Sequence, residues 1–223
     1  MFNVAGCLDL ANHHPNSTQA DIKNICEKVK EFGFNSAFVN PYFVSLAKEQ
    51  GVRVGTVVSF PLGQELLRIK IASCLEAIAA GADELDISLN VGLIKAGKWD
   101  ESLEEMTKIV TAVKNNSNTV IKFIPETGYL TADEIKKSAE LILKSGADFF
   151  KTCSGLGPRG AEISDVRLVR EAVGDKLKIK VAGGVETYEQ AIAFINAGAD
   201  MIGTSHAVEI IQKKAETSSG KGE

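Results

Sequence analysis

Short apolar runs and helical stretches alternate from one end of the chain to the other. Strand-like runs fall at 4–10, 36–40, 53–60, 83–90, 119–125, around Lys151, at 177–182 and at 201–205. Helical segments lie between them at 42–50, 65–80, 100–114, 162–173 and 187–197. The stretch 65–80 shows most plainly the three- and four-residue apolar spacing of a helix with one buried face. Asn16-Ser17-Thr18 caps a helix that ends near Gly33. Thr131 and Glu134 stand at capping-box spacing ahead of another helix, and a last one runs to about residue 215.

A local repeat marks the units. Gly81-Ala82-Asp83, Gly146-Ala147-Asp148 and Gly198-Ala199-Asp200 each close a helix and open a strand, with glycine suited to the left-handed residue that stops a helix. Eight strand–helix units without a linker predict a single-domain α/β fold, a (β/α)8 TIM barrel over 1–216. The tail 217–223 is small and polar and is expected to be disordered. An open doubly wound sheet is the other α/β arrangement. It calls for fewer strands or a GxGxxG turn after the first strand, and the chain has no such turn.

Alternation along the strands then sorts the side chains. Leu85, Ile87 and Leu89 share one face of the fourth run, and Glu84, Asp86, Ser88 and Asn90 share the other. The apolar set must meet the helices, so the polar set faces the barrel interior. Lys178, Lys180 and Ala182 group in the same way, as do Lys122 with Ile124 and Glu126, and Lys151 with Phe149 and Cys153. One account of this lining is an ion-pair network that only fills the barrel. The other is catalytic: Asp86, Lys151 and Lys180 are read toward the C-terminal strand ends, where barrel enzymes carry their chemistry. A buried lysine loses part of its preference for the charged form, and its free amine can attack a carbonyl to form a Schiff base. Glycine-rich turns follow the last strands: Ser154-Gly155-Leu156-Gly157, Gly183-Gly184 and Gly203-Thr204-Ser205. Their backbone N–H groups suit an anion, and Gly155, Gly183, Gly184, Thr204 and Ser205 are the expected substrate- and phosphate-binding positions.

Composition narrows the partners. The 223 residues are 44% hydrophobic and 24% charged, with a net charge of −4 and few aromatics. No basic stripe suggests nucleic acid, and no apolar run is long enough for a membrane span. Cys7, Cys26, Cys74 and Cys153 show neither metal-ligand nor CxxC spacing, which suits free thiols in the cytoplasm. No metal site and no cofactor are expected. Cys153 is open to two readings, a small packing residue or a reactive thiol.

With these residues placed, the sequence resembles the deoxyribose-phosphate aldolases, a class I aldolase family with the (β/α)8 fold. The likeness runs through nearly the whole chain. It is carried by Leu8-Asp9, Phe38-Val39-Asn40-Pro41, Val58-Ser59-Phe60-Pro61-Leu62-Gly63, Glu84-Leu85-Asp86, Asn90-Val91-Gly92, Glu126-Thr127, Phe150-Lys151-Thr152, Lys180-Val181-Ala182-Gly183-Gly184-Val185 and Ile202-Gly203-Thr204-Ser205. It implies that Lys151 is the Schiff-base lysine, Lys180 the second lysine and Asp86 the acid/base group. Asp9 and Lys122 would orient the network or serve as plain ion-pair partners. The implied reaction is reversible cleavage of 2-deoxy-D-ribose 5-phosphate to acetaldehyde and D-glyceraldehyde 3-phosphate. Its partners are therefore small sugar phosphates and aldehydes, and a homo-oligomer is allowed.

The chain departs from the family pattern in places. Leu10-Ala11 and His14 stand near the first strand, Glu186 follows Gly-Gly-Val, Met201 opens the last strand, and His206 follows Ser205. Glu186 and His206 are expected near the phosphate end, where a carboxylate repels a dianion. Two further readings follow: a Schiff-base aldolase with a different or unphosphorylated substrate, and a non-catalytic barrel that binds a sugar phosphate.

Overall fold

The computed structural model describes residues 3–219, with side chains described over 3–213. Eight parallel strands close into a barrel in sequence order. They are β1 (Leu8–Asn12), β2 (Ser36–Val39), β3 (Val54–Val58), β4 (Glu84–Ser88), β5 (Val120–Ile124), β6 (Phe149–Lys151), β7 (Lys178–Ala182) and β8 (Met201–Thr204). Around them run α1 (Gln19–Phe32), α2 (Val44–Glu49), α3 (Leu67–Ala79), α4 (Val91–Lys95), α5 (Trp99–Lys114), α6 (Ala132–Ser145), α7 (Ile163–Val173), α8 (Tyr188–Asn196) and α9 (Ala207–Ser219). Pairing of β1 with β8, Asp9 opposite Gly203, closes the ring. Of the tail expected from residue 217, residues 220–223 lie outside the described residues. No helix among the described residues is long and apolar enough to cross a membrane.

Local chemistry sets the element ends. Thr18, Thr131 and Thr187 each form a reciprocal capping box at the start of α1, α6 and α8, satisfying N–H groups that have no partner inside the helix. The Gly-Ala-Asp repeat has a further use at the bottom of the barrel. Asp83, Asp148 and Asp200 each accept a hydrogen bond from the backbone N–H of Val54, Ile121 and Ile179, near the start of the preceding strand. Each carboxylate also pairs with a cation from a preceding helix: Lys48, Lys114 and Arg170. These ties join β3 to β4, β5 to β6 and β7 to β8 at their N-terminal ends.

The outward residues Leu85, Ile87, Ile121, Phe123, Ile179 and Val181 are fully buried under the helices. Inside, the barrel is filled by a few large groups. Phe38 projects inward so closely that a Cβ on Gly55 of β3 would lie 2.2 Å from its ring. A Cβ on Gly203 of β8 would lie 2.8 Å from Lys180 Cε. Glycine at these two positions makes room for an aromatic ring and a lysine chain in the same layer.

Two expectations change. The first strand begins at Leu8 rather than residue 4, because Ala5–Cys7 forms a 3-10 turn beneath the barrel, and it runs on to Asn12. Asp86 and Lys180 sit at the middle of β4 and β7, not toward their ends, whereas Lys151 is the last residue of β6.

Candidate active site

The polar inner residues converge on one buried network. Lys151 Nζ donates to Asp86 Oδ2 at 2.7 Å, and Lys180 Nζ donates to the same oxygen at 2.8 Å. Lys180 Nζ also lies 2.7 Å from Asp9 Oδ2. Asp9 Oδ1 in turn accepts from Asn35 Nδ2 at 2.7 Å and from Ser36 Oγ at 2.6 Å. Lys122 pairs tightly with Glu84 and stands 3.3 Å from Asp86 Oδ1. All six ionisable side chains are buried. Three cations facing three carboxylates let so many charges leave water, since each would be prohibitive alone.

Aromatic walls close this chamber. Lys180 Nζ lies 3.4 Å from the centroid of Phe38, and Lys151 Nζ lies 5.7 Å from that of Phe60. Ring faces are negative and complement the ammonium groups.

The network separates the two lysines on Asp86. Burial lowers the pKa of Lys151, and the Lys180 charge lowers it further, against the opposing pull of Asp86. Lys180 is buried too, but the combined charges of Asp86, Asp9 and Glu84 hold its pKa above the ordinary lysine value. Asp86 remains ionised well below the usual carboxylate range despite its burial, because Lys151, Lys180 and Lys122 surround it. Glu84 is pulled down to about 2, its burial outweighed by Lys122 and Lys180. Of the two lysines, Lys151 is therefore the one that gives up its proton first. Opposite shifts on neighbouring titratable groups are the usual mark of assigned acid and base roles.

Above the lysines, toward the strand C-termini, opens a cavity of about 270 Å³. Gly155, Gly183, Gly184, Thr204 and Ser205 all line it, together with Ser154, Glu186 and His206. Gly183 and Gly184 adopt φ of 90° and 82°, and Gly155 and Gly183 pack backbone against backbone. Side chains there would meet a strained backbone and crowd the turn. Thr204 is only partly available for a ligand. Its hydroxyl donates to the Val185 carbonyl at 2.6 Å and accepts from the His206 N–H at 3.0 Å. A larger hollow of about 990 Å³ lies on the flank, between Tyr42 and α3, and none of the glycine turns lines it.

The structure also settles or adds several residues. Cys153 is buried and within 3.2 Å of Thr127 Oγ1. Burial pushes its pKa up to about 11, which is the profile of a packing thiol. Glu84 belongs to the central network, although sequence reasoning placed it only on the inner face. Glu126 holds the turn after β6 by accepting from the Ser154 N–H at 3.0 Å, from a left-handed backbone with φ of 58°. His13 is the residue that the sequence reading missed. It lines the cavity, and its ring centroid lies 5.6 Å from that of Phe60. Burial and the Lys151 charge push its pKa down to about 3. With the strand ended at residue 10, this position fell in a loop. With β1 extended to Asn12, alternation from Asp9 through Ala11 points residue 13 inward.

A closed barrel that gathers two lysines on one carboxylate, beneath a glycine-walled cavity, has the build of a lysine-dependent carbon–carbon lyase. The chain belongs to the DeoC/LacD family of aldolases, whose family model matches residues 4–213. It is 42% identical to a protein of Caldanaerobacter subterraneus subsp. tengcongensis named deoxyribose-phosphate aldolase, covering 96% of this chain and 94% of that one. Among solved structures it resembles "QR15, an Aldolase", with a TM-score of 0.92, 37% identity and 98% of each chain covered. A deoxyribose phosphate aldolase of Aeropyrum pernix, described as having a unique tetrameric structure, matches with a TM-score of 0.88 and 27% identity. That match covers 96% of this chain and 92% of the other.

Proposed function

We propose that this chain is a class I aldolase that reversibly cleaves 2-deoxy-D-ribose 5-phosphate into acetaldehyde and D-glyceraldehyde 3-phosphate. The observation that carries this reading is the pair of buried lysines on Asp86 Oδ2, with the pKa of Lys151 lowered and that of Lys180 raised. Family membership supplies the substrate class, because the relatives bear that enzyme's name.

In this reading the free amine of Lys151 attacks the C1 aldehyde. The carbinolamine loses water to leave an iminium. A proton then leaves the C3 hydroxyl, the C2–C3 bond breaks, and its electrons pass into the iminium to give an enamine. Glyceraldehyde 3-phosphate departs. Protonation of the enamine at C2 and hydrolysis release acetaldehyde and restore Lys151. Asp86 moves protons through a bound water, and Lys180 holds the positive charge that favours the free amine on Lys151. Asp9 and Lys122 orient these two groups. The phosphate is received at the turns of Gly155, Gly183, Gly184 and Ser205, with Thr204 acting through its backbone.

Borohydride reduction in the presence of deoxyribose 5-phosphate, followed by peptide mass mapping, is expected to leave a two-carbon or five-carbon adduct on Lys151. An adduct on Lys180 alone, or none on a protein that binds the ligand, sinks the assignment. Glu186 is exposed at the cavity rim. Glu186→Arg is expected to lower KM for the phosphate substrate about fivefold, as an exposed charge contact of ~1 kcal/mol allows. Steady-state kinetics on the phosphorylated and unphosphorylated sugars check it, and an equal change on both contradicts it. We place the enzyme in the cytoplasm, in keeping with its four free cysteines. The tetramer named for the Aeropyrum pernix relative suggests assembly into an oligomer.

A further inference from the structure

His13 lies where β1 gives way to the loop above the lysine chamber. Its ring packs edge-on to Phe38, with centroids 6.4 Å apart, and at a tilt against Phe60 at 5.6 Å. Phe60 is also the ring beneath Lys151 Nζ. Lys151 is the charge that bears most strongly on the imidazole, ahead of Asp86 and Lys180. Nδ1 is shielded from solvent and no protein group bonds it. In the neutral imidazole that carries its proton on Nε2, Nδ1 is an acceptor.

A shielded acceptor without a partner is a costly thing to keep in a folded site. The cost has a use if the bound ligand brings the missing donor. Lys151 is itself nearly inaccessible, so a substrate joined to it must occupy the same desolvated zone as the His13 ring. The substrate carbons between the lysine and the glycine turns carry hydroxyl groups.

We propose that His13 is a specificity-determining residue whose Nδ1 accepts a hydrogen bond from a hydroxyl on the substrate's carbon chain, so that the site selects a hydroxylated acceptor aldehyde over its deoxy counterpart. The proposal rests on the aldolase reading and deepens it. A phosphate contact is a poor alternative for this ring, because burial and the Lys151 and Lys180 charges keep the imidazole neutral. A hydroxyl matches a neutral acceptor. Sites that pair a substrate hydroxyl with a buried group reject analogues lacking it far more strongly than apolar pockets do.

The test runs the reaction in the synthetic direction with acetaldehyde as donor. D-glyceraldehyde 3-phosphate is compared with 3-phosphopropanal, which lacks the C2 hydroxyl, in wild type, His13→Leu and His13→Asn. Wild type is expected to prefer the hydroxylated acceptor by about 10- to 100-fold in kcat/KM, the range set by leaving one buried acceptor unpaired. His13→Leu is expected to reduce that ratio to within about threefold of unity, mainly by loss on the hydroxylated acceptor. His13→Asn, whose carbonyl oxygen offers an acceptor at similar reach, is expected to recover part of the ratio. A ratio unchanged in His13→Leu overturns the proposal, and so does an equal loss on both acceptors, which marks a packing role. Borohydride trapping of acetaldehyde separates the two levels. An adduct in wild type with no change of ratio defeats the His13 role alone, whereas no adduct in wild type defeats the aldolase reading and the His13 role with it.

Discussion

Lys151→Ala is expected to reduce turnover at least ~10⁴-fold, since removal of a nucleophile leaves only the catalysis supplied by binding and surrounding charge. The fold should survive. Asp86 keeps Lys180 at 2.8 Å and Lys122 at 3.3 Å, so its carboxylate is not left alone in the interior. Lys151 is also the last residue of its strand, where a lost side chain is more easily accommodated than in the layer below. Lys151→Met, which retains most of the volume, should lose activity equally and melt closer to wild type. Release of glyceraldehyde 3-phosphate in a coupled assay, read beside thermal melts, checks both halves. Turnover within tenfold of wild type in the methionine variant would falsify the nucleophile assignment. The same substitution at Lys180 is a different experiment. That lysine bonds Asp86 and lies 2.7 Å from Asp9, so its loss weakens the set around Asp86 and takes from Asp9 the cation paired with it.

The inward face of the barrel was legible because strand alternation has a period of two and the outer face must be apolar. Once Leu85 and Ile87 are assigned to the helices, Glu84 and Asp86 have no other side. The same step brings in Lys122, Lys151 and Lys180, although Asp86 and Lys180 are 94 residues apart. What the sequence could not carry was depth. Asp86 and Lys180 are mid-strand, and only closure of the barrel, with Lys151 opposite Lys180 in register, sets which ammonium is uppermost. His13 shows how a boundary error propagates. The apolar residues at 4–7 resemble the start of a strand, but Ala5–Cys7 coils into a turn, and the misplaced end hid the next inward position. Thr204 shows a different limit. Its place in a glycine-rich turn suits a phosphate ligand, yet its hydroxyl is held by Val185, a tertiary contact with no local signal.

Asp86→Asn is expected to damage stability and catalysis together, and the direction of each effect follows from the same contacts. The amide keeps the shape of the side chain but removes the charge shared by Lys151, Lys180 and Lys122. Breaking a buried ion-pair set from one side costs ~3–5 kcal/mol, because the opposite charges remain without compensation. A loss of ~10²–10⁴ in kcat/KM is expected where a positioned acid/base group is removed. The pH dependence then distinguishes the network from a merely disrupted fold. In wild type the pKa of Lys151 is lowered by burial and by Lys180 but raised by Asp86. Without that carboxylate charge it falls further, so the acid limb of the pH–rate profile, which reports the free amine, should move to lower pH. Stability carries its own sign. The folded pKa of Asp86 lies below its unfolded value, so its contribution is full above about pH 4 and is lost as the pH falls through the acid range. Asp86→Asn should therefore lose stability most at neutral pH and converge on wild type in acid. Glu84, held at about 2 by its own lysine contacts, would account for the acid sensitivity that remains. Melting curves from pH 2 to 8, read beside the rate profile, make the comparison. An acid limb that stays in place with a uniform drop in melting temperature would mean that Asp86 acts only as filling, and that Lys151 owes its reactivity to burial alone.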